Sequence, residues 1–140
     1  MSAVRVIRYL LANYAPLTAI VDASKIKAGT IPLSTVLPAI SLIDISGQRR
    51  NTVSMTEETR LVTSRVQVTP LVNTSKKGGT DYDGMVTILG HIMTACANQS
   101  GTVNGVAVDS ILPDTRGPNL EDEDSGIMEQ GQDFIVKHQE

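Results

Sequence analysis

An alternating segment that leads, after one loop, into a one-sided helical segment most limits what this chain can fold into. Residues 60–72 read RLVTSRVQVTPLV, with apolar and polar positions alternating as in a half-buried strand. Residues 82–96 place seven side chains on one helical face: Tyr82, Met85, Val86, Leu89, Ile92, Met93 and Cys96. The two segments together predict a sheet packed by a helix.

The alternation of the long strand separates two faces. One face carries Val62, Ser64, Val66 and Val68, and the other carries Thr63, Arg65, Gln67 and Thr69. Pro70 cannot donate a ladder hydrogen bond, so we expect its end of the strand to lie at a sheet edge.

Two further signals mark helix and turn positions. Ser2 is predicted to cap an opening helix that Pro16 ends, with an apolar stripe formed by Val4, Ile7, Leu11 and Tyr14. Asn104-Gly105 stands between two valines, a pattern typical of a type I′ hairpin.

The remaining strands complete the predicted fold. Residues 39–47, 106–112 and 126–138 are rich in β-branched residues and are predicted strands. A chain of 140 residues fits one domain over 1–140. We therefore expect an α+β fold with a mostly antiparallel sheet of four to five strands, packed by two helices and carrying long hairpin loops.

Two polar excursions, residues 48–59 and 113–125, separate predicted strands. Loops of this length are uncommon in compact domains and usually bind something or are disordered. The first is basic at its start and the second is acidic, so a neighbouring copy would offer the complementary charge; the alternative is two solvated, mobile loops. The charged residues concerned are Arg49, Arg50, Glu57, Glu58, Glu121, Asp122, Glu123 and Asp124.

The second helix offers a possible packing surface away from its apolar stripe. Gly84, Ile88, His91 and Ala95 fall together on a helical wheel, and small residues around an exposed isoleucine would let another backbone approach closely. The alternative is a short helix that tolerates glycine because its other face is well packed.

Catalytic and metal-binding patterns are absent from the sequence. The chain has two histidines, His91 and His138, and neither has a nucleophile and an orienting group at a suggestive spacing. Cys96 lies on the apolar stripe and is predicted to be a packed, inert thiol. No His/Cys pair has the spacing of metal ligands. We expect no enzyme activity, no cofactor and no metal.

Composition argues against nucleic-acid and membrane binding. A net charge of −3, one Phe, three Tyr and no Trp provide neither a basic footprint nor an aromatic platform for bases. No apolar run approaches the roughly 20 residues of a membrane span, and Arg5 and Arg8 interrupt the early apolar stretch where a signal peptide would lie. We expect a soluble protein made in a cytoplasm.

The order of several short segments carries a family resemblance. They are LLANYAPLTAIV at 10–21, LPAI at 37–40, SRVQV at 64–68 before a helix, NGV at 104–106, an acidic loop, and QDFIV at 132–136. Over nearly its whole length the chain resembles the tail-completion, or tail-terminator, proteins of long-tailed bacteriophages.

That resemblance implies a structural role. Such proteins have a sheet flanked by helices and assemble as a ring, usually a hexamer. The ring caps the head-proximal end of the tail tube, ends tube polymerisation and gives the head connector a docking face, and DNA passes through its lumen without specific binding. The implied partners are further copies of the chain, the tail tube protein and a head-completion or connector protein. The implied location is the tail or neck of a virion assembled in the bacterial cytoplasm.

Two alternatives stay open at this point. The chain could be another neck or connector adaptor. Such a protein differs from a tail terminator in its binding partner and not in the physical features expected of its sequence. It could also be a small cytoplasmic ligand-binding or regulatory α+β domain, although ligand pockets usually contain aromatic residues and this chain has few.

Overall fold

The computed structural model describes residues 2–29, 31–32, 36–49, 61–73, 81–122 and 126–139. Its helices are α1 (Ser2–Ala12), α2 (Ala15–Thr18) and α3 (Asp81–Cys96), with a 3-10 turn at Ala23–Lys25. Its strands are β1 (Ile26–Ala28), β2 (Ala39–Arg49), β3 (Leu61–Asn73), β4 (Gly101–Val103), β5 (Val106–Arg116), β6 (Leu120–Asp122), β7 (Ile127–Glu129) and β8 (Gln132–Gln139).

The strands form one sheet in the order β1-β2-β3-β8-β5-β4, and a β6–β7 hairpin joins β3 beside the end of β8. Only β1 and β2 run parallel among the described pairs. The α+β class is as predicted, but the described sheet has eight strands instead of four to five. Four of them are three residues long, which is too short for a period-2 pattern to reveal.

The core lies between one face of the sheet and helices α1 and α3, which also contact each other. Ile40, Leu42, Val66, Phe134 and Val136 face the helices and are buried. Alternate positions on β3 and β8 stay partly exposed. The opposite face of the sheet is therefore not covered by any helix in the described ranges.

Strand β3 alternates as predicted but lies inside the sheet. It pairs with β2 on one side and with β8 and β7 on the other. Its pairing with β8 ends at Val68 and its pairing with β7 begins at Leu71. The prediction that Pro70 lies at an edge is therefore wrong: Pro70 stands at the junction between two partner strands, where the ladder is already interrupted.

Turn chemistry agrees with the sequence, while several element boundaries differ. Asn104 (φ 50°) and Gly105 (φ 79°) connect β4 to β5 with Val103 opposite Val106, as in a type I′ turn. Strand β5 runs to Arg116, and the predicted strand 126–138 is two strands, β7 and β8. Pro16 opens α2 instead of ending α1. Within the described residues, none of the helices has the length and apolar character needed to cross a membrane.

Candidate functional site

The two charged segments singled out in the sequence lie in or beside strands. Arg49 ends β2 and is exposed, and Glu121 and Asp122 are exposed residues of β6. The other predicted interface residues in these segments lie outside the described residues: Arg50, Glu57, Glu58, Glu123 and Asp124.

The basic and acidic segments lie beside opposite ends of strand β3. Arg49 is opposite Val62 near the start of β3, whereas β6 pairs with β7 beside residues 71–73 at the end of β3. At about 3.3 Å per residue, the position of Val62 on β3 is about 30 Å from that of residues 71–73. This distance exceeds the Debye length of ~8 Å at physiological salt, so the two charges barely influence each other within one chain.

The prediction that Ile88 stands exposed among small residues on α3 is wrong. Ile88 is 1% exposed and Ala95 is 5% exposed, because α1 packs against α3 and the helix is buried over a wider arc than a single sheet contact requires. Gly84 and His91 are half-buried, and the His91 ring lies 6.0 Å from that of Tyr14. The large exposed side chains of α3 are Tyr82 and Val86, which were predicted to be core.

The described residues 117–122 and 126–131, named here the acidic arm, lie between β5 and β8 in the chain and contain β6 and β7. The root of the arm is closed by hydrogen bonds: Gly117 N donates to Gly131 O (2.8 Å) and Gln130 Nε2 donates to Gly117 O (2.9 Å). In the residues next to these glycines, Arg116 Nε donates to Gln132 Oε1 (3.3 Å). The arm is thus fastened at both of its ends, and its β6–β7 hairpin lies beside the end of β3.

Two polar side chains of β3 hold the strands at this root. Arg65 Nη1 lies 2.6 Å from Asp114 Oδ2 on β5 and 3.1 Å from Asp133 Oδ2 on β8. The Gln67 side chain lies over Gly131, where a β-carbon would be 2.8 Å from Gln67 Nε2. Both residues belong to the SRVQV segment, and their positions as the two longest side chains on the polar face of the strand were the sequence signal for this role.

An open groove runs along the base of the acidic arm on the uncovered face of the sheet. It is lined by three apolar residues, Leu71, Leu120 and Ile127, and by three acidic residues, Glu121, Asp122 and Glu129. A second hollow adjoins it at Leu71 and Glu129 and is lined further by Gly29, Ile31, Ser41, Ile43, Gln67 and Thr69. Together these surfaces are named the arm groove.

A serine and a histidine meet in the core, which the sequence did not indicate. Ser64 Oγ lies 3.1 Å from His138 Nε2, and the two residues are 4% and 2% exposed. His138 Nδ1 lies 3.4 Å from Gln139 O, a backbone carbonyl. The pair is closed off from solvent, and the histidine ring also lies beside a backbone carbonyl. Each side chain therefore serves as the hydrogen-bond partner that the other needs in a buried position.

The remaining candidate chemical groups are also enclosed. Cys96 is fully buried, and burial raises the pKa of its thiol to about 12. Such a thiol stays protonated and is a poor nucleophile. In the described ranges, no three His, Cys, Asp or Glu side chains gather closely enough to hold a metal ion.

The fold of this chain is shared with a known protein by structure and not by sequence. No protein-family model matches the sequence, and no curated protein matches it. A chain from the virion of a native gene transfer agent particle superposes with a TM-score of 0.67, covering 96% of this chain and 92% of that one at 7% identity. At this identity the likeness establishes a shared fold across nearly the whole length of both chains.

Proposed function

We propose that this protein is a structural virion component that forms a ring at the head-proximal end of a phage tail. In this role it ends polymerisation of the tail tube and joins the tail to the head connector. The observation that carries the proposal is the fold shared over 96% of the chain with a component of a gene transfer agent virion, a phage-like particle. The order of sequence segments typical of tail-terminator proteins supports the same role.

The placement of charge supports assembly through unlike surfaces. Arg49 and the acidic arm lie at opposite ends of β3, so a contact between them must join two copies. A contact between two different patches is heterologous, and it closes into a ring when the rotation between copies divides a full turn. The partners in this proposal are further copies, usually six in all, the tail tube protein and the connector.

Counting copies in purified virions tests the location. Quantitative mass spectrometry scaled to the tail tube protein should find about six copies per particle, because closed cyclic rings of this kind are small. A protein that is abundant in infected cells but missing from virions would contradict the proposal. That result would favour the regulatory-domain alternative.

Reversing the basic charge tests the surface. The double change Arg49→Glu with Arg50→Glu should weaken ring formation or tube capping and give tails of uncontrolled length in electron micrographs. The matched control reverses Arg5 and Lys27, which are exposed away from both charged segments. Normal tails with the first variant would show that Arg49 and Arg50 take no part in assembly.

A further inference from the structure

We infer that neighbouring copies of this chain join through the edges of their sheets, with β2 of one copy beside β5 of the next. The inference rests on the proposed ring and names a contact between copies that involves neither charged segment. Its basis is the position, direction and side-chain content of the two edges.

Each side of the sheet is covered over only part of its length by the described residues. Strand β1 pairs with β2 up to Leu42, and β4 pairs with β5 up to Val108. Residues 43–48 and 112–116 are exposed and have strand partners on no more than one side within the described ranges. Each segment is about as long as an average strand. Open edges of this length are templates for a strand from another chain.

The outward-facing backbone groups of β2 are those of Leu42 and Asp44. Leu42 O accepts from Gly29 N (2.8 Å) on the side away from β3. Backbone groups alternate between the two sides of a strand, so those of Asp44 point the same way. Asp44 therefore has an N–H at the open edge.

The outward-facing groups of β5 are those of Ile111 and Pro113. Ile111 O accepts from Asn98 N (2.8 Å) on the side away from β8, and Pro113 follows two residues later. Pro113 has no N–H and offers only its carbonyl at this edge. The missing donor and the register shift after Pro113 shorten the ladder, so a single junction is weak. A closed ring gives every copy two junctions.

The two open edges match in level and in direction. Asp44 pairs with Val66, Val66 with Phe134, and Phe134 with Pro113, so Asp44 and Pro113 lie at one level of the sheet. All three strand pairs are antiparallel, so β2 and β5 run in opposite directions. Rotation about an axis along the strands preserves these directions, and the next copy's β5 is then antiparallel to β2, which is the more stable pairing.

Apolar side chains stand beside the two edges. Ile43 is 43% exposed opposite Gln67, and Leu112 is 47% exposed opposite Ile135, both on the face away from the helices. Across the junction they become diagonal neighbours, which large side chains on adjacent strands can contact. The junction thus removes apolar surface from water in addition to forming backbone hydrogen bonds.

This junction leaves the charged segments for other partners. Without a shift along the strands, Arg49 of one copy stays about 30 Å from the acidic arm of the next. Reversing Arg49 and Arg50 should then impair tube capping while the ring itself still forms.

A double-cysteine variant tests the junction. Ser46 is opposite Arg65, Arg65 is opposite Ile135, and Ile135 is opposite Leu112, so positions 46 and 112 share one level. Within one chain they are three strand spacings apart, about 14 Å, which exceeds the ~7 Å limit for a disulfide. Oxidised Ser46→Cys/Leu112→Cys protein, purified or in assembled particles, should give a ladder of linked copies that ends at the closed ring in non-reducing electrophoresis. The native Cys96 is buried.

Two comparisons identify the contact. The pair Ser46→Cys/Tyr82→Cys reports random collisions, since Tyr82 is 56% exposed on the helix side, and should link about tenfold less. Adding Asp44→Pro to the first variant removes the outward N–H and should reduce linking by about tenfold, whereas Asp44→Ala keeps that N–H and should not.

Linking no stronger than the Tyr82 control, or unaffected by the proline, overturns the inference. An equally strong dimer of Ser46→Cys alone also overturns it, because two β2 edges would then pair with each other. If rings are present in virions while this linking is absent, the inference fails and the ring proposal stands. If virions lack the protein, the ring proposal itself fails, whatever the purified protein does.

Discussion

Gln67 lies across Gly131, and a β-carbon at residue 131 would be 2.8 Å from Gln67 Nε2 and 3.2 Å from its Cγ. The contact lies at the root of the acidic arm, where β7 ends and β8 begins. The Gln67 side chain therefore occupies the space that a side chain at residue 131 would need, and only glycine fits there without displacing Gln67.

The variant Gly131→Ala should destabilise the protein by about 1 kcal/mol, because a half-buried glutamine must move to admit one methyl group. Adding Gln67→Ala removes the obstruction, so the double variant should be more stable than the sum of the two single changes predicts. Urea unfolding of all four proteins measures this coupling. Strictly additive free energies would show that the two residues do not interact.

The Ser64–His138 hydrogen bond gives a second prediction. The variant Ser64→Ala leaves an imidazole nitrogen without its partner inside the core, which should cost about 1–3 kcal/mol of unfolding free energy. Thr63→Ala is a suitable control, since Thr63 is the adjacent residue on the partly exposed face. Equal stability losses in the two variants would contradict a specific role for the buried bond.

The burial of Cys96 leads us to expect that the free energy of unfolding depends on pH in the alkaline range. Burial raises the pKa of its thiol from 9.0 to about 12 in the folded protein. Between these values the unfolded chain loses a proton that the folded chain keeps, so the free energy of unfolding falls as pH rises, by up to roughly 1.4 kcal/mol per pH unit from this group. Below pH 9 the contribution is fully present.

The variant Cys96→Ala isolates that contribution. Its unfolding free energy between pH 9 and 11 should decline less steeply than that of the unchanged protein. The native thiol should also resist iodoacetamide at pH 8 and react only in denaturant. Rapid alkylation of the folded protein would contradict the burial of Cys96.

A matched pair on α3 tests the corrected orientation of that helix. Ile88→Ala should cost about 2–5 kcal/mol, because Ile88 is 1% exposed in the core. Val86→Ala should change stability by about 0.5 kcal/mol or less, since Val86 is 42% exposed. Thermal or urea unfolding measures both. The reverse ranking would restore the helix face expected from the sequence.

The predictions that succeeded depend on neighbours in the chain. The alternation of β3 follows from the opposite directions of successive side chains in a strand. The turn at Asn104-Gly105 follows from the positive φ angles that these two residues tolerate. Such features are set within a few residues, so the sequence alone indicates them.

The predictions that failed depend on elements distant in the chain. A helical wheel locates an apolar face, but α1 packs beside α3 and draws Ile88 and Ala95 into the core. Pro70 suggests an edge, but the arm brings β7 next to β8 on the same side of β3. Neither effect can be read from local periodicity.

By itself the sequence determined the α+β class, the long central strand and the tight turn, because these arise from side-chain periodicity and local backbone preference. The tertiary structure alone decided where the charged segments lie. It placed Arg49 and Glu121 at opposite ends of β3, since strand pairing fixes residues that are 72 positions apart in the chain. It also placed Arg65 and Gln67 at the root of the acidic arm, because strand pairing brings them next to residues that are far away in the sequence.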